Sequence, residues 1–239
     1  MRTIGLVGGM SWESTVPYYQ HINRLTAERL GPLHSARIVL YSVDFSEIET
    51  MQRTAQWAAA GALLADAARA VEAGGADFLL LCTNTMHKVA DAVVQAIRIP
   101  LLHIVDPTGR AIRARGMRRV GLLATGYTME DPFYRDCLVS RFGVEAIVPE
   151  PTDRRRVHEI IYDELCQGVV RDTSRKEYLR VVDALIAQGV QGIILGCTEI
   201  GMLIGEKDTD VPLFDTTYLH AEAAVSRALA PATDGGRQS

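Results

Sequence analysis

The chain has 239 residues, 48% of them hydrophobic and 23% charged, enough for one large or two small domains with real cores. A formal net charge of −4 with both signs interspersed excludes a basic surface for nucleic acid or an anionic membrane, and directs attention to a small-molecule partner. No apolar run approaches the roughly 18 residues that span a bilayer, and Met1-Arg2-Thr3 leads straight into an apolar segment, so a cytoplasmic protein is expected.

Thr3–Val7 reads as a buried strand, Gly8-Gly9 as a loop, and the stretch from Ser11 or Ser14 to about Leu30 as a helix. Ile38–Val43 is a strand, and the alanine-rich segment from about Gln56 to Ala73 is a helix closed by Gly74-Gly75. Phe78–Leu81 is an apolar run that stops at Cys82-Thr83-Asn84-Thr85. A helix from about Met86 to Ile97, a strand Leu101–Ile104 and a helix capped by Asp106-Pro107 complete the first half. The second half follows the same order: a strand from Val120, a helix capped at Asp131-Pro132 and a strand Glu145–Val148. Helices over about Arg155–Cys166 and Ser174–Gln188 precede a strand Ile193–Leu195 ending at Gly196-Cys197-Thr198-Glu199. Ser174 and Glu177 have capping-box spacing. A strand Val211–Phe214 and a helix from about Thr216 to Ala230 close the pattern, and Pro231 to Ser239 reads as a frayed tail.

Landmarks in the two halves, among them Gly5 and Gly121, Cys82 and Cys197, Pro100 and Pro212, repeat at an offset of about 115 residues. The expected fold is therefore α/β: two similar doubly wound, mostly parallel-sheet domains related by a pseudo-two-fold, with a site in the cleft between them. The division expected is 1-98 plus 211-239 for the first domain and 99-210 for the second.

The four cysteines, Cys82, Cys137, Cys166 and Cys197, lack the short regular spacing of a secreted scaffold and read as free thiols. Cys82 and Cys197 each end a buried strand where the chain turns toward a helix, a position where amide N–H groups and the helix dipole favour the thiolate. A thiolate and a thiol facing each other across a cleft can take a proton from one face of a carbon and return one to the other face, which is racemisation or epimerisation. Thr83, Asn84, Thr85 and Thr198 are placed to donate hydrogen bonds to an adjacent carboxylate. The competing reading of each is a helix cap.

His87, one helical turn after Thr83, is a candidate to polarise the thiol or the substrate, or is a helix-surface histidine, and Glu199, two residues after Cys197, is a candidate to orient that thiol or simply favours the helix N-terminus. His103, His158, His220, Cys137 and Cys166 read as structural. The Gly5–Gly9 loop does not have the Gly-x-Gly-x-x-Gly spacing of a dinucleotide site, and no close Cys/His pair supports zinc, so neither a nicotinamide nor a metal is expected.

Gly8-Gly9-Met10-Ser11-Trp12-Glu13-Ser14-Thr15, Cys82-Thr83-Asn84-Thr85-Met86-His87 and Gly196-Cys197-Thr198-Glu199, in that order over nearly the whole chain, resemble the aspartate/glutamate racemase family, especially its broad-specificity amino-acid racemase branch. The resemblance implies a cofactor-independent racemase, usually a homodimer, with one catalytic cysteine per domain, here Cys82 and Cys197. It also implies that Met10, Gln52 and the Thr83-Asn84-Thr85 segment contact an amino-acid substrate. Aspartate-specific members carry an arginine after the second strand; here the stretch from Asp44 to Arg53 offers no secure counterpart, and Arg53 is the candidate substitute in a neighbourhood that holds Asp44, Glu47 and Glu49. Arg155 and Arg156, in the run Arg154-Arg155-Arg156, are candidates for a substrate side-chain carboxylate, or are a solvated charged loop. Glutamate, aspartate or a broader set are the expected substrates. The alternatives are an amino-acid binding or sensor module, or a related two-cysteine isomerase acting on hydantoin or maleate.

Overall fold

Apolar runs of three to five residues with no polar face form stable strands where both sheet faces are covered, as in parallel sheets wrapped by crossover helices. The chain does this twice. A computed structural model describes residues 1–231, so the expected frayed tail falls, beyond Pro231, outside the described residues. In the first half, β1 (Ile4–Gly8) is followed by α1 (Trp12–Leu30), β2 (Ile38–Ser42), α2 (Phe45–Arg53), α3 (Trp57–Ala73) and β3 (Phe78–Leu81). A 3₁₀ turn over Thr85–Val89, then α4 (Ala90–Ala96) and α5 (Val105–Ala114), lead into the second half. There β4 (Arg119–Leu123), α6 (Gly126–Glu130), α7 (Phe133–Phe142), β5 (Glu145–Ile147), α8 (Pro151–Asp163), α9 (Asp172–Ala187), β6 (Ile193–Leu195), β7 (Leu213–Asp215) and α10 (Thr216–Leu229) follow.

All pairings are parallel: β2-β1-β3 in one sheet and β5-β4-β6-β7 in the other. Leu101 bridges to Leu79 beside β3, the position β7 holds beside β6, so the order is the same in both halves, as a duplicated unit requires. The helices that follow these last strands cross over. Ala221, Ala224, Val225 and Ala228 of α10 pack with Tyr18, Ile22 and Leu25 of α1 in the first core, whereas Val105 and Ile112 of α5 join the second. The division at 98 and 210 stands as a proposal that these pairings refine, since Leu101 bridges to the first sheet, β7 pairs in the second, and each helix beyond packs on the opposite core. Among the described residues no helix is long and apolar enough to cross a membrane.

Several local expectations change in three dimensions. The helix expected from Met86 opens as a 3₁₀ turn because His87 bonds back to Thr83, and the strand expected over Leu101–Ile104 is reduced to one bridge because α5 begins at Val105. Ser174 does not form a capping box: its hydroxyl donates to Glu164 at 2.6 Å, and Glu177 pairs with Arg180 on the surface. Helix α8 begins at Pro151, four residues before the expected Arg155, with proline in its first turn. Helices α2 and α6 carry too few apolar positions to be recognised by periodicity; Asp44 caps α2 by accepting from the Ser46 N–H, and Thr125 caps α6.

Close approach between α3 and the first sheet depends on Gly5. A Cβ there would lie 2.5 Å from Val71 Cγ1 and 2.9 Å from both Ala76 Cβ and the Phe78 carbonyl. Replacing Gly5 by Ala should therefore destabilise the protein by about 1–3 kcal/mol through overpacking, read as a lowered urea midpoint. A neutral effect would show that α3 can shift away from the sheet.

Candidate active site

In open parallel sheets ligands collect beyond the carboxyl ends of the strands, where the connections diverge. The cavity formed between the two halves lies there. Met10 reaches it from the loop after β1, Thr83, Asn84 and Thr85 from the segment after β3, Thr125 from the end of β4, and Cys197, Thr198 and Glu199 from the segment after β6. Helices α2 and α8 add Phe45, Gln52, Ile161 and Tyr162, and Cys166 follows α8. Its volume is about 20 Å³, room for a single water.

Glu199 is the hub. Its Oε2 accepts from Cys197 Sγ at 2.9 Å and from Thr198 Oγ1 at 2.7 Å, while Oε1 accepts from Ser11 Oγ at 2.8 Å and Cys166 Sγ at 3.5 Å. Four neutral donors from three separate segments thus satisfy a buried carboxylate, and among the described residues no cation pairs with it. Ser11 precedes α1 at the N-cap position, yet its hydroxyl is used for this contact rather than for capping.

The remaining polar groups form short chains. Tyr162 donates to Gln52 Oε1 at 2.8 Å, and Gln52 Nε2 donates to Met86 Sδ at 3.1 Å. Thr85 Oγ1 lies 2.9 Å from Thr125 Oγ1 and 3.0 Å from Thr128 Oγ1. Asn84 Nδ2 donates to Thr216 Oγ1 at 2.9 Å, while Asn84 Oδ1 is buried without a hydrogen-bond partner among the described residues. A buried acceptor left unpaired carries a desolvation cost that an incoming N–H donor removes.

Behind the cavity stand three buried or half-buried histidines. Ile104 N–H donates to His87 Nε2 at 3.2 Å, so Nδ1 carries the hydrogen and donates to the Thr83 carbonyl at 2.8 Å. His87 is thereby a brace for the Cys82-Thr83 segment rather than part of the cavity lining. His220 receives the Tyr18 hydroxyl on Nδ1 at 2.9 Å and donates from Nε2 to the Leu102 carbonyl at 2.8 Å. Burial holds all three neutral: His87 is pushed well down, with His103 and His220 adding to the effect, His103 falls to about 4 and His220 to about 3.

The structure brings Met10, Gln52, Thr83, Asn84, Thr85, Cys197, Thr198 and Glu199 to one cavity. Cys82 is fully buried immediately before Thr83, its N–H bonded to the Val7 carbonyl at 2.9 Å, and its side chain packs in the first core. Arg155 lines a separate cavity with Tyr127 and His158, and Arg156 pairs with Glu159 on the exposed side of α8. The expectation of depressed thiol pKa values is overturned. Burial pushes the Cys82 thiol up, and burial together with the Glu199 carboxylate and Cys166 pushes Cys197 up, outweighing any short-helix dipole. Ser11, Phe45, Thr125, Ile161, Tyr162 and Cys166 complete the site without having been marked in the sequence as its members. For Cys166 the signal was a third thiol just past an amphipathic helix, which read equally well as core.

The match to the family described as Asp/Glu/Hydantoin racemase extends over residues 7–224. The chain belongs to the Asp/Glu/hydantoin racemase family. Among related structures, one from Yersinia pestis, provisionally described as an Asp/Glu racemase, is 53% identical. It covers 96% of this chain and 100% of its own, with a TM-score of 0.88. An aspartate racemase homologue from Pyrococcus horikoshii OT3 is 31% identical over 95% of this chain and 99% of its own, with a TM-score of 0.82. The broad-specificity amino-acid racemase RacX of Bacillus subtilis is 23% identical over 95% of this chain and 98% of its own. In this racemase-family chain, among the described residues, no group of three or more His, Cys, Asp and Glu side chains gathers to hold a metal ion.

Two measurements check the electrostatics of the site. The Glu199→Gln variant removes a negative charge that raises the Cys197 thiol, so Cys197 should be alkylated by iodoacetamide faster than in the wild type at pH 8; an unchanged or slower rate, followed by peptide mass spectrometry, contradicts the assigned contact. The histidines make the second prediction. Their folded-state pKa values lie below the unfolded value of about 6.5, so the unfolded chain binds the extra protons and stability, full above pH 6.5, falls as pH drops below it. His220 alone accounts for a loss on the order of 3 kcal/mol by pH 4. Urea midpoints across this range should show the slope, and His220→Gln should flatten it.

Proposed function

We propose that this protein is a cofactor-independent amino-acid racemase that moves the Cα proton between Cys82 and Cys197. The observation that carries the reading is that the segments following the two equivalent cysteine strands, Thr83-Asn84-Thr85 from one half and Cys197-Thr198-Glu199 from the other, line one small polar cavity. Removal of a proton from one face and return to the other inverts the carbon, and a pair of groups with the same chemistry serves both directions. Family membership supports the reaction class, and the family resemblance extends it to a homodimer.

Both thiols rest protonated, so one must lose its proton once substrate arrives. Glu199 Oε2, 2.9 Å from Cys197 Sγ, is positioned to take that proton. The Cys197 thiolate then removes the Cα hydrogen, and the Cys82 thiol supplies a proton to the opposite face. That turnover leaves Cys82 as the thiolate with Cys197 and Glu199 protonated. In the reverse direction the Cys82 thiolate takes the Cα hydrogen, and the Cys197 thiol protonates the other face and recovers its proton from Glu199. Between successive turnovers in one direction Glu199 releases its proton to water and Cys82 takes one up. The planar carbanion spreads its charge onto the carboxylate, where the hydroxyls of Thr83 and Thr85 serve as donors. Asn84 Oδ1, buried and unpaired, suits the substrate ammonium, whose positive charge also favours a thiolate beside it. Because the cavity admits about one water, substrate must part the contact between α2 and α8, where Tyr162 bonds to Gln52 and stacks with Phe45 at a centroid distance of 6.1 Å.

Incubation of a single enantiomer in deuterium oxide should yield the opposite enantiomer labelled at Cα. Cys82→Ser and Cys197→Ser should each lower racemisation by about 10³-fold or more, with one-sided exchange persisting in one direction. Full activity in either variant removes that cysteine from the mechanism, and ligand binding without exchange in the wild type identifies a sensor instead.

A further inference from the structure

An amino acid enters a site as a zwitterion of zero net charge, whereas aspartate or glutamate brings one further negative charge. A second carboxylate taken out of water needs a cation or a full set of donors, and a neighbouring carboxylate raises its cost. Among the described residues lining the cavity none is Arg, Lys or His, and the charged one is Glu199. The donors nearby are already committed to that carboxylate: Ser11, Cys166, Cys197 and Thr198.

Basic side chains on the flanking elements pair or face elsewhere, Arg155 of α8 lining the separate cavity with Tyr127 and His158. Arg53 pairs with Glu49 at 3.2 Å on the exposed side of α2. Lys88 pairs with Asp131 and sits 4.1 Å from the centre of the Trp57 ring, and Arg154 faces Glu130 at 3.7 Å. The wall contributed jointly by α2 and α8 is neutral instead. Gln52 is buried, its carbonyl taken by Tyr162 and its amide nitrogen by Met86, with Phe45 stacked on Tyr162 and Ile161 beside it. Such a wall suits an aliphatic, thioether or primary-amide side chain, which can exchange hydrogen bonds with the amide and phenol without bringing charge.

We infer that, given the racemase reading above, the substrate side chain is uncharged, and that aspartate and glutamate are discriminated against by the cavity itself. Gln52 and Tyr162 are its specificity-determining residues.

Isosteric pairs isolate the charge. Racemisation of glutamine against glutamate and of asparagine against aspartate is followed by chiral chromatography on the wild-type protein, with leucine and methionine alongside. Binding of the same compounds is measured calorimetrically on the Cys82→Ser/Cys197→Ser protein. At least one uncharged member of the set should turn over with a kcat/KM at least about 10²-fold above that of either dicarboxylate, and the same order should hold in binding. Gln52→Arg should move the glutamate-to-glutamine ratio toward glutamate by about tenfold or more. Glutamate or aspartate equal to or better than the uncharged compounds, in turnover or in binding, overturns the inference, as does the absence of binding by every uncharged compound. Selective binding of an uncharged compound with no turnover upholds the inference while overturning the racemase reading, so the two failures are distinguishable.

Discussion

A carboxylate buried between two domains, and satisfied by hydroxyls and thiols instead of a cation, constrains this molecule more than any other interaction. Glu199 binds Ser11 from the glycine loop of the first half, Cys166 from the turn after α8, and Cys197 and Thr198 from its own strand end. Each donor is fixed by a different element, so the carboxylate ties together parts of the chain that are far apart in sequence. It also sets the local electrostatics: the negative charge holds Cys197 protonated until something positive or proton-accepting changes the balance. A guanidinium in place of those donors would give a stronger pair but would leave the carboxylate less free to exchange a proton with a thiol.

The scaffold delivers these groups by parallel-sheet geometry. Because β1, β3, β4 and β6 run in the same sense within their sheets, all of their carboxyl ends open toward the cleft, and each contributes a residue two to four positions past its last paired residue. The exchange of α5 and α10 between the two cores gives the cleft a firm back wall. Helix α10 packs on α1, and its His220 bonds the Leu102 carbonyl, while His87 braces Thr83 against Ile104. Neutral, buried imidazoles serve there as rigid connectors between backbone groups that lack partners of their own, at the cost of acid sensitivity.

The front of the cleft is of different character. Gln52, Phe45 and Tyr162 meet across it through one hydrogen bond and one aromatic stack, contacts that are cheap to break in comparison with a core. Rigidity behind and a light latch in front suit a site that must exclude water during proton transfer yet admit a molecule larger than the space it holds when closed.

Strand and helix order, the internal repeat and the two Cys-Thr segments are legible in the sequence because each rests on short-range physics: apolar runs bounded by glycine, caps at helix starts, and a repeat that duplicates both. Met10, Thr83, Asn84, Thr85 and Thr198 could be named on that basis and from family resemblance. Ser11, Tyr162, Thr125 and Cys166 could not, since nothing local separates a hydroxyl that caps a helix, or a thiol that fills a core, from one that turns toward a cleft. The protonation of the cysteines differs from the local expectation: a strand end ahead of a helix suggests a thiolate, but desolvation at Cys82, and desolvation with the Glu199 carboxylate and Cys166 at Cys197, act through space and dominate. The chain by itself therefore determined the duplicated α/β plan and where along it the chemistry lies. Tertiary structure alone decided which charges face the cleft, because burial and the distance between side chains from separate halves are set only when the two sheets come together.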